Sequence, residues 1–170
     1  MQNWKELYQE HTQMIANNIP GIVWQDLWHN QVNFLETEHP FQTPANFLSY
    51  RSVRIEDNGL KTQKVRVQVD FYLFYETFAD TYHESSNQST ALEFIDLLDQ
   101  INALFHGTDG TSYSNMRRTN FAPVDTGNAG NLYRVSFECD VVDYSAMRTY
   151  VEHDIEEIDI EHKDDPYTID

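Results

Sequence analysis

Two segments decide the fold: VRVQVDFYLFY at residues 65–75 and ALEFIDLLDQINALFHG at residues 91–107. In the first segment apolar residues occupy every second position, which is the pattern of a strand with one buried face. That face consists of Val65, Val67, Val69, Phe71, Leu73 and Tyr75. In the second segment apolar residues recur at the spacing of an amphipathic helix. Its stripe consists of Leu92, Ile95, Leu98, Ile101, Leu104 and Phe105. We expect this strand and this helix to pack together as the core of an α+β domain.

The segments before the long strand supply a further helix and a short strand. Apolar residues at helical spacing predict a helix over residues 3–18, which Pro20-Gly21 ends. A short strand is predicted within residues 21–31. We expect three of its apolar side chains on one side, namely Ile22, Trp24 and Trp28. Ser89 or Thr90 is well placed to cap the helix of the second segment.

Turn residues divide the remaining strands into two hairpins. Asp57-Asn58-Gly59 predicts a reversal between arms at about residues 46–56 and 62–77. A second hairpin is predicted within residues 116–144, with the glycine cluster at residues 127–130 as its turn. The predicted fold is therefore a small, mostly antiparallel sheet of two hairpins and a short strand, packed by two helices.

The chain divides into an α+β domain at residues 1–145 and an acidic C-terminal arm at residues 146–170. Its 170 residues carry a formal net charge of −17, which disfavours adsorption to free nucleic acid or to anionic membranes. Residues 151–170 hold nine acidic residues against Lys163 alone, so about half of the total charge lies there. The single cysteine, Cys139, excludes an intramolecular disulfide and is expected to be buried. No secretory signal or membrane-spanning segment is apparent, which indicates a soluble protein of a reducing compartment.

The residue pattern offers no catalytic group, cofactor site or metal site. His153-Asp154 and Glu161-His162 lack a third ligand at a suitable spacing. No serine lies in a glycine-flanked turn between a strand and a helix, where a nucleophile would be expected. The glycines of residues 107–110 and 127–130 match neither the phosphate-loop motif nor the dinucleotide-binding motif. A small hydrolase or a metalloenzyme would need clustered ligands that are not seen here.

Basic residues concentrate on the two hairpins. The first carries Arg51, Arg54, Lys61, Lys64 and Arg66, and the second carries Arg117, Arg118 and Arg134. Two interpretations stay open: ordinary solvated strand faces that balance nearby acids, or a basic patch that meets an acidic surface of a neighbouring subunit.

The C-terminal arm mixes acids with apolar residues. Its segment YVEHDIEEIDIEH contains Val151, Ile155, Ile158 and Ile160. Such an arm could add a strand to the sheet edge of an adjacent protomer, or it could be a frayed acidic terminus.

The chain resembles the tail terminator and tail-completion proteins of tailed bacteriophages over residues 3–145. The entry of the first long strand is matched by residues 44–48, PANFL, and the helix by residues 98–107. The arginine-bearing strand of that family is matched by Met116-Arg117-Arg118. The acidic extension after Tyr144 has no counterpart in the pattern.

The resemblance implies a structural virion protein without enzymatic activity or cofactor. Such a subunit forms a ring, commonly a hexamer, that caps the tail tube and joins it to the head-completion or connector proteins. It implies a place in the tail or neck of the virion, assembly in the bacterial cytoplasm, and DNA that passes through the ring without specific binding. An acidic ring suits this role because a cationic channel would bind phosphates. A related neck or connector ring on the same fold stays open.

The expected subunit contacts are a hairpin tip, an arginine pair and the arm. Their residues are Asn58, Gly59, Leu60, Lys61, Arg117, Arg118, Val151, Ile155, Ile158 and Ile160. The alternative function is an acidic binding module, such as a nucleic-acid mimic that inhibits a host factor. Mimics usually spread their acids across the fold, whereas here the excess is concentrated at one end.

Overall fold

The computed structural model describes residues 2–34, 41–76, 79–126 and 130–147. Over these residues the chain has the predicted α+β fold. Three helices are present: α1 (Gln2–Asn18), the single turn α2 (Gln88–Ala91) and α3 (Glu93–Phe105). The five strands are β1 (Trp24–Leu27), β2 (Ala45–Asp57), β3 (Gln63–Tyr75), β4 (Ser114–Val124) and β5 (Asn131–Asp143). A 3-10 turn spans Gln31–Phe34.

The strands form one sheet in the order β1-β2-β3-β5-β4. β1 runs parallel to β2, and every other neighbouring pair is antiparallel. The strand pairings of the two predicted hairpins are therefore confirmed as β2–β3 and β4–β5, whereas residues 127–129 of the second predicted turn lie outside the described part of the chain. The first hairpin closes with a 2.9 Å bond from the Asn58 N–H to the Thr62 carbonyl, and Gly59 adopts a φ of 124° in its turn. Glycine suits this position because an L side chain rarely adopts such a φ.

The helices α1 and α3 cover one face of the sheet, which we call the helix face. The predicted alternation of β3 is confirmed there, because Val65, Val67, Val69, Phe71 and Leu73 are all buried in the main core. Their partners are buried side chains from both helices and from β5, including Leu7, Ile15, Ile101, Phe105 and Phe137. Cys139 is buried in this cluster as predicted, and burial raises the pKa of its thiol to about 12.

The start of the second helical segment differs from the prediction. Ser89 and Thr90 lie inside α2, whose N-cap is Asn87, and Leu92 is the N-cap of α3. Neither cap residue makes a side-chain capping bond. The helical segment is therefore interrupted at Leu92, and α3 begins at Glu93.

The buried stripe of α3 consists of Phe94, Leu98, Ile101 and Phe105. The placement of Ile95 on this stripe was wrong, because its side chain is 43% exposed. Phe94 takes the core position instead and contacts the rings of Tyr75 and Tyr133. Leu104 is only partly buried at the border of the stripe.

A second apolar cluster lies on the opposite face of the sheet, which we call the open face. It joins Phe47, Tyr72, Phe74, Leu132 and neighbouring side chains at the β1 end. Trp24 and Trp28 both pack here as expected, and the ring of Trp28 stacks on Tyr72 at 4.3 Å between centroids. Ile22 was wrongly grouped with them, since it precedes β1 and packs in the main core.

One histidine is enclosed by the main core. The side chain of His11 is fully buried among the rings of Tyr50, Phe71, Phe105 and Tyr113. Its Nδ1 lies 3.2 Å from the Tyr50 hydroxyl, whereas its Nε2 is buried without a partner in the described structure. Burial disfavours the charged ring and lowers the pKa of His11 to about 3.

The corrected stripe of α3 predicts unequal effects for two isoleucines of the same helix. Ile101→Ala should lower the free energy of unfolding by about 2–5 kcal/mol, because Ile101 is fully buried. The matched change Ile95→Ala should alter it by about 0.5 kcal/mol or less. Urea unfolding of both variants measures the difference, and equal losses would contradict the observed phase.

His11 predicts a loss of stability in mild acid. Above pH 6.5 the ring is neutral in both states, but below it only the unfolded chain takes up the proton until the pH reaches about 3. This group alone should lower the free energy of unfolding by about 1.4 kcal/mol for each pH unit in that window. Urea unfolding between pH 4 and pH 7.5 should show a shallower pH dependence for His11→Gln. His83→Gln, at an exposed site, is the control and should keep the wild-type slope.

Candidate functional site

Charge is separated between the layers of the described structure. Eight of its nine Lys and Arg residues lie on the sheet strands or at the β2–β3 tip, and only Lys5 lies on a helix. The helices α1 and α3 instead carry five acidic residues. On α3, Glu93, Asp96 and Asp99 are all exposed. The helix layer therefore has a net negative charge, whereas the described sheet carries nearly all of the cations together with seven acidic residues.

The open face is polar beyond its aromatic cluster. Here Arg66 pairs with Asp140 at 3.1 Å, and Lys64 lies 3.8 Å from the same carboxylate. A third cation, Arg54, pairs with Glu56 on the same strand. In these pairs cations of the open face are neutralised by acidic residues of the same face. This is what the interpretation of solvated strand faces that balance nearby acids expects.

A shallow depression of about 260 Å³ lies in the middle of the open face. At its base the carboxylate of Asp70, only 6% exposed, accepts hydrogen bonds from the Ser136 hydroxyl and the Gln68 amide. Arg51 donates to the Gln68 oxygen at 2.6 Å, which links the depression to β2. The Nε of Arg134 is buried in its wall without a hydrogen-bond partner in the described structure.

Beyond Leu48 no described strand pairs with the outer edge of β2, and one register shift interrupts β2 between Ser52 and Arg54. β1 pairs with β2 only from Ala45 to Leu48, whereas β2 continues to Asp57. From Arg51 to Asp57 every side chain is exposed. Two of these side chains are large and apolar, Val53 at 50% and Ile55 at 54% exposure. A free edge presents unpaired backbone donors and acceptors to any added strand.

The outer edge of β4 is irregular by comparison. Two register shifts interrupt its pairing with β5, between Ser114 and Arg117 and between Arg118 and Asn120, and Pro123 lies near its end. Such features hinder the addition of another strand. Arg117 and Arg118 lie beside the end of α3, where the Arg118 N–H donates to His106 Nδ1 at 3.0 Å.

The predicted contact residues do not form one cluster in the described structure. Asn58, Gly59, Leu60 and Lys61 lie at the β2–β3 tip, where Leu60 is 90% exposed. Arg117 lies on β4, where it pairs with Glu138, and two strands, β5 and β3, separate β4 from β2 and its free edge. The arm residues lie outside the described part of the chain, namely Val151, Ile155, Ile158 and Ile160.

Two features of these surfaces were not predicted from the sequence. Asp70 and Ser136 occupy polar positions in the alternating patterns of β3 and β5. Those polar positions were the signal from which the buried pair could have been predicted. The free β2 edge had no such signal, because it depends on where the short β1 stops pairing.

No group of three His, Cys, Asp or Glu residues suited to a metal ion occurs among the described residues. None of the described helices is long and apolar enough to cross a membrane. No protein-family model matches this chain, and no curated protein matches its sequence.

Removing the Ser136 hydroxyl from the depression should destabilise the folded protein. Ser136→Ala should lower the free energy of unfolding by about 1–3 kcal/mol, because the buried Asp70 carboxylate loses a donor. The matched control is Ser52→Ala on the exposed stretch of β2, with an expected change of about 0.5 kcal/mol or less. Denaturant unfolding at pH 7 measures both, and a neutral Ser136→Ala would mean that water replaces the hydroxyl.

Proposed function

We propose that this chain is a ring-forming structural subunit of a tailed-phage virion, a tail terminator or a related neck ring. Its tasks would be to cap the tail tube and to join it to the head-completion or connector proteins. The element order of the described fold is the one on which the resemblance to that family rests. The observation that carries the proposal is the separation between an acidic helix layer and a cation-bearing sheet with a free edge.

This separation suits a subunit that binds copies of itself. A ring needs two different surfaces on each chain, so that one surface of each copy meets the other surface of the next. The exposed cations and backbone groups at the β2 edge provide one such surface. Charge complementarity would orient a neighbour that brings an acidic surface to this edge.

The acidic helix layer suits a channel for DNA. Because Glu93, Asp96 and Asp99 are exposed on one helix, a ring with α3 toward its axis would line the channel with carboxylates. Such a lining releases no counterions from DNA, so the duplex can slide without adhering. We therefore place α3 at the inner wall of the ring and the sheet between neighbouring copies.

The mass of the particle tests the proposal. A hexamer of this 20.0 kDa chain has a mass of about 120 kDa, which light scattering after size-exclusion chromatography separates from a monomer. Negative-stain images should show rings with a central opening. We expect these rings to retain no duplex DNA in a co-sedimentation assay.

The alternative of an acidic inhibitor predicts a different result. A monomer or dimer at all concentrations, with no binding to tail tube or connector components, would overturn the ring proposal. Binding to a nucleic-acid enzyme in competition with DNA would then support a mimic.

A further inference from the structure

The free edge of β2 is long enough to receive another strand. The last backbone bond on this side runs from the Trp28 N–H to the Leu48 carbonyl at 2.8 Å. Ser49–Asp57 continues the strand, and no other described strand pairs with it on that side. Because β3 occupies one side of β2, alternate backbone N–H and C=O groups of Ser49–Asp57 point to the other side. They are available as donors and acceptors for an added strand.

The side chains along this edge differ between the two faces of the sheet. On the open face, Arg51 is opposite Gln68 and Arg54 is opposite Arg66. On the helix face, Ile55 is opposite Val65 yet remains 54% exposed. A strand added here would meet Arg51 and Arg54 on the open face, together with Glu56, which pairs with Arg54, and it would meet Ile55 on the helix face.

Residues 157–161 of the arm carry the complementary pattern. They read EIDIE, with acids at Glu157, Asp159 and Glu161 and isoleucines between them. In an extended strand successive side chains point to opposite faces, so the acids share one face and the isoleucines share the other. The arm therefore matches the edge on both faces, acid beside arginine and isoleucine beside isoleucine.

We propose that residues 157–161 of one copy add as a strand to the free β2 edge of a neighbouring copy. The acids would face Arg51 and Arg54, and the isoleucines would pack beside Ile55. This inference rests on the proposed function, which supplies the neighbouring copy. It deepens that function, because it names the donor and the acceptor of the ring contact.

The arm leaves the sheet at a place that suits this exchange. β5 ends at Asp143, which pairs with Gln63, and Gln63 in turn pairs with Asp57 at the end of the free edge. The last residue of β5 and the end of the free edge thus lie at the same end of the sheet. A head-to-tail contact between copies gives a ring when the rotation between successive copies closes.

Charge reversal at the acceptor edge is the first test. The double variant Arg51→Glu, Arg54→Glu should need at least about tenfold higher protein concentration to assemble, because like charges would then face the arm. The control is Lys5→Glu, which replaces an exposed cation by an acid on α1, away from the sheet strands, and should assemble like the wild type. Thermal unfolding verifies that both variants are folded. Equal assembly of the two variants would overturn the inference.

The arm offers a second matched pair of variants. Asp159→Lys, Glu161→Lys should impair assembly, whereas Asp164→Lys, Asp165→Lys makes the same charge change outside the alternating segment and should not. Mixing the arm-reversed chain with the edge-reversed chain should restore assembly with the two chains in equal amounts, since the intact arm meets the intact edge and the lysine-bearing arm meets the glutamate-bearing edge. A mixture that does not assemble would overturn exchange between copies.

A peptide separates this inference from the ring proposal. The probe is a fluorescent peptide of residues 151–162, added to the full-length arm-reversed chain, whose own arm is defective. We expect saturable binding, with at least about tenfold weaker binding of a peptide that carries the two reversals. If the arm-reversed chain binds the peptide while the wild type is monomeric, the ring is overturned and the arm–edge contact is retained. If the wild type forms rings but the arm-reversed chain ignores the peptide, the ring is retained and the contact is overturned.

Discussion

The whole structure depends on the position of β3 at the centre of the sheet. β3 pairs with β2 on one side and with β5 on the other along nearly its entire length. Its helix face contributes five buried apolar side chains, and its open face contributes Tyr72 and Phe74 to the aromatic cluster. Because both neighbours take their register from β3, the placement of every exposed sheet residue follows from this one strand.

The helices and the aromatic cluster cover the two faces of the sheet unequally, and this leaves surfaces exposed that can bind a partner. Two helices cover the helix face, but the aromatic cluster covers only one end of the open face. The remainder of that face must stay polar, and it contains the buried Asp70–Ser136 pair and the charge pairs around Asp140. The short β1 leaves the β2 edge uncovered, so the surface most suited to assembly arises where the covering elements end.

Local sequence patterns were sufficient to predict the main helices and strands. They did not predict all of the buried side chains of α3 or which residue caps its start. The alternation of β3 and the Asp57-Asn58-Gly59 turn predicted the first hairpin, and the alternation of β5 predicted the return arm of the second, because each signal is contained within a few residues. The misplaced Ile95 shows the limit: Phe94 and Ile95 are adjacent apolar residues, and Phe94 takes the buried position by packing against Tyr75 and Tyr133.

The sequence by itself determined the order of the helices and strands, the buried face of β3, and the excess of acid in residues 151–170. These properties depend on side-chain periodicity and composition, which are local and additive. Only the tertiary structure decided that β1 stops pairing at Leu48, that Arg51 and Arg54 lie on an edge with no described neighbour, and that two strands separate Arg117 and Arg118 from that edge. Strand pairing joins residues distant in the chain, and its extent is set by backbone hydrogen bonds rather than by any pattern within one segment.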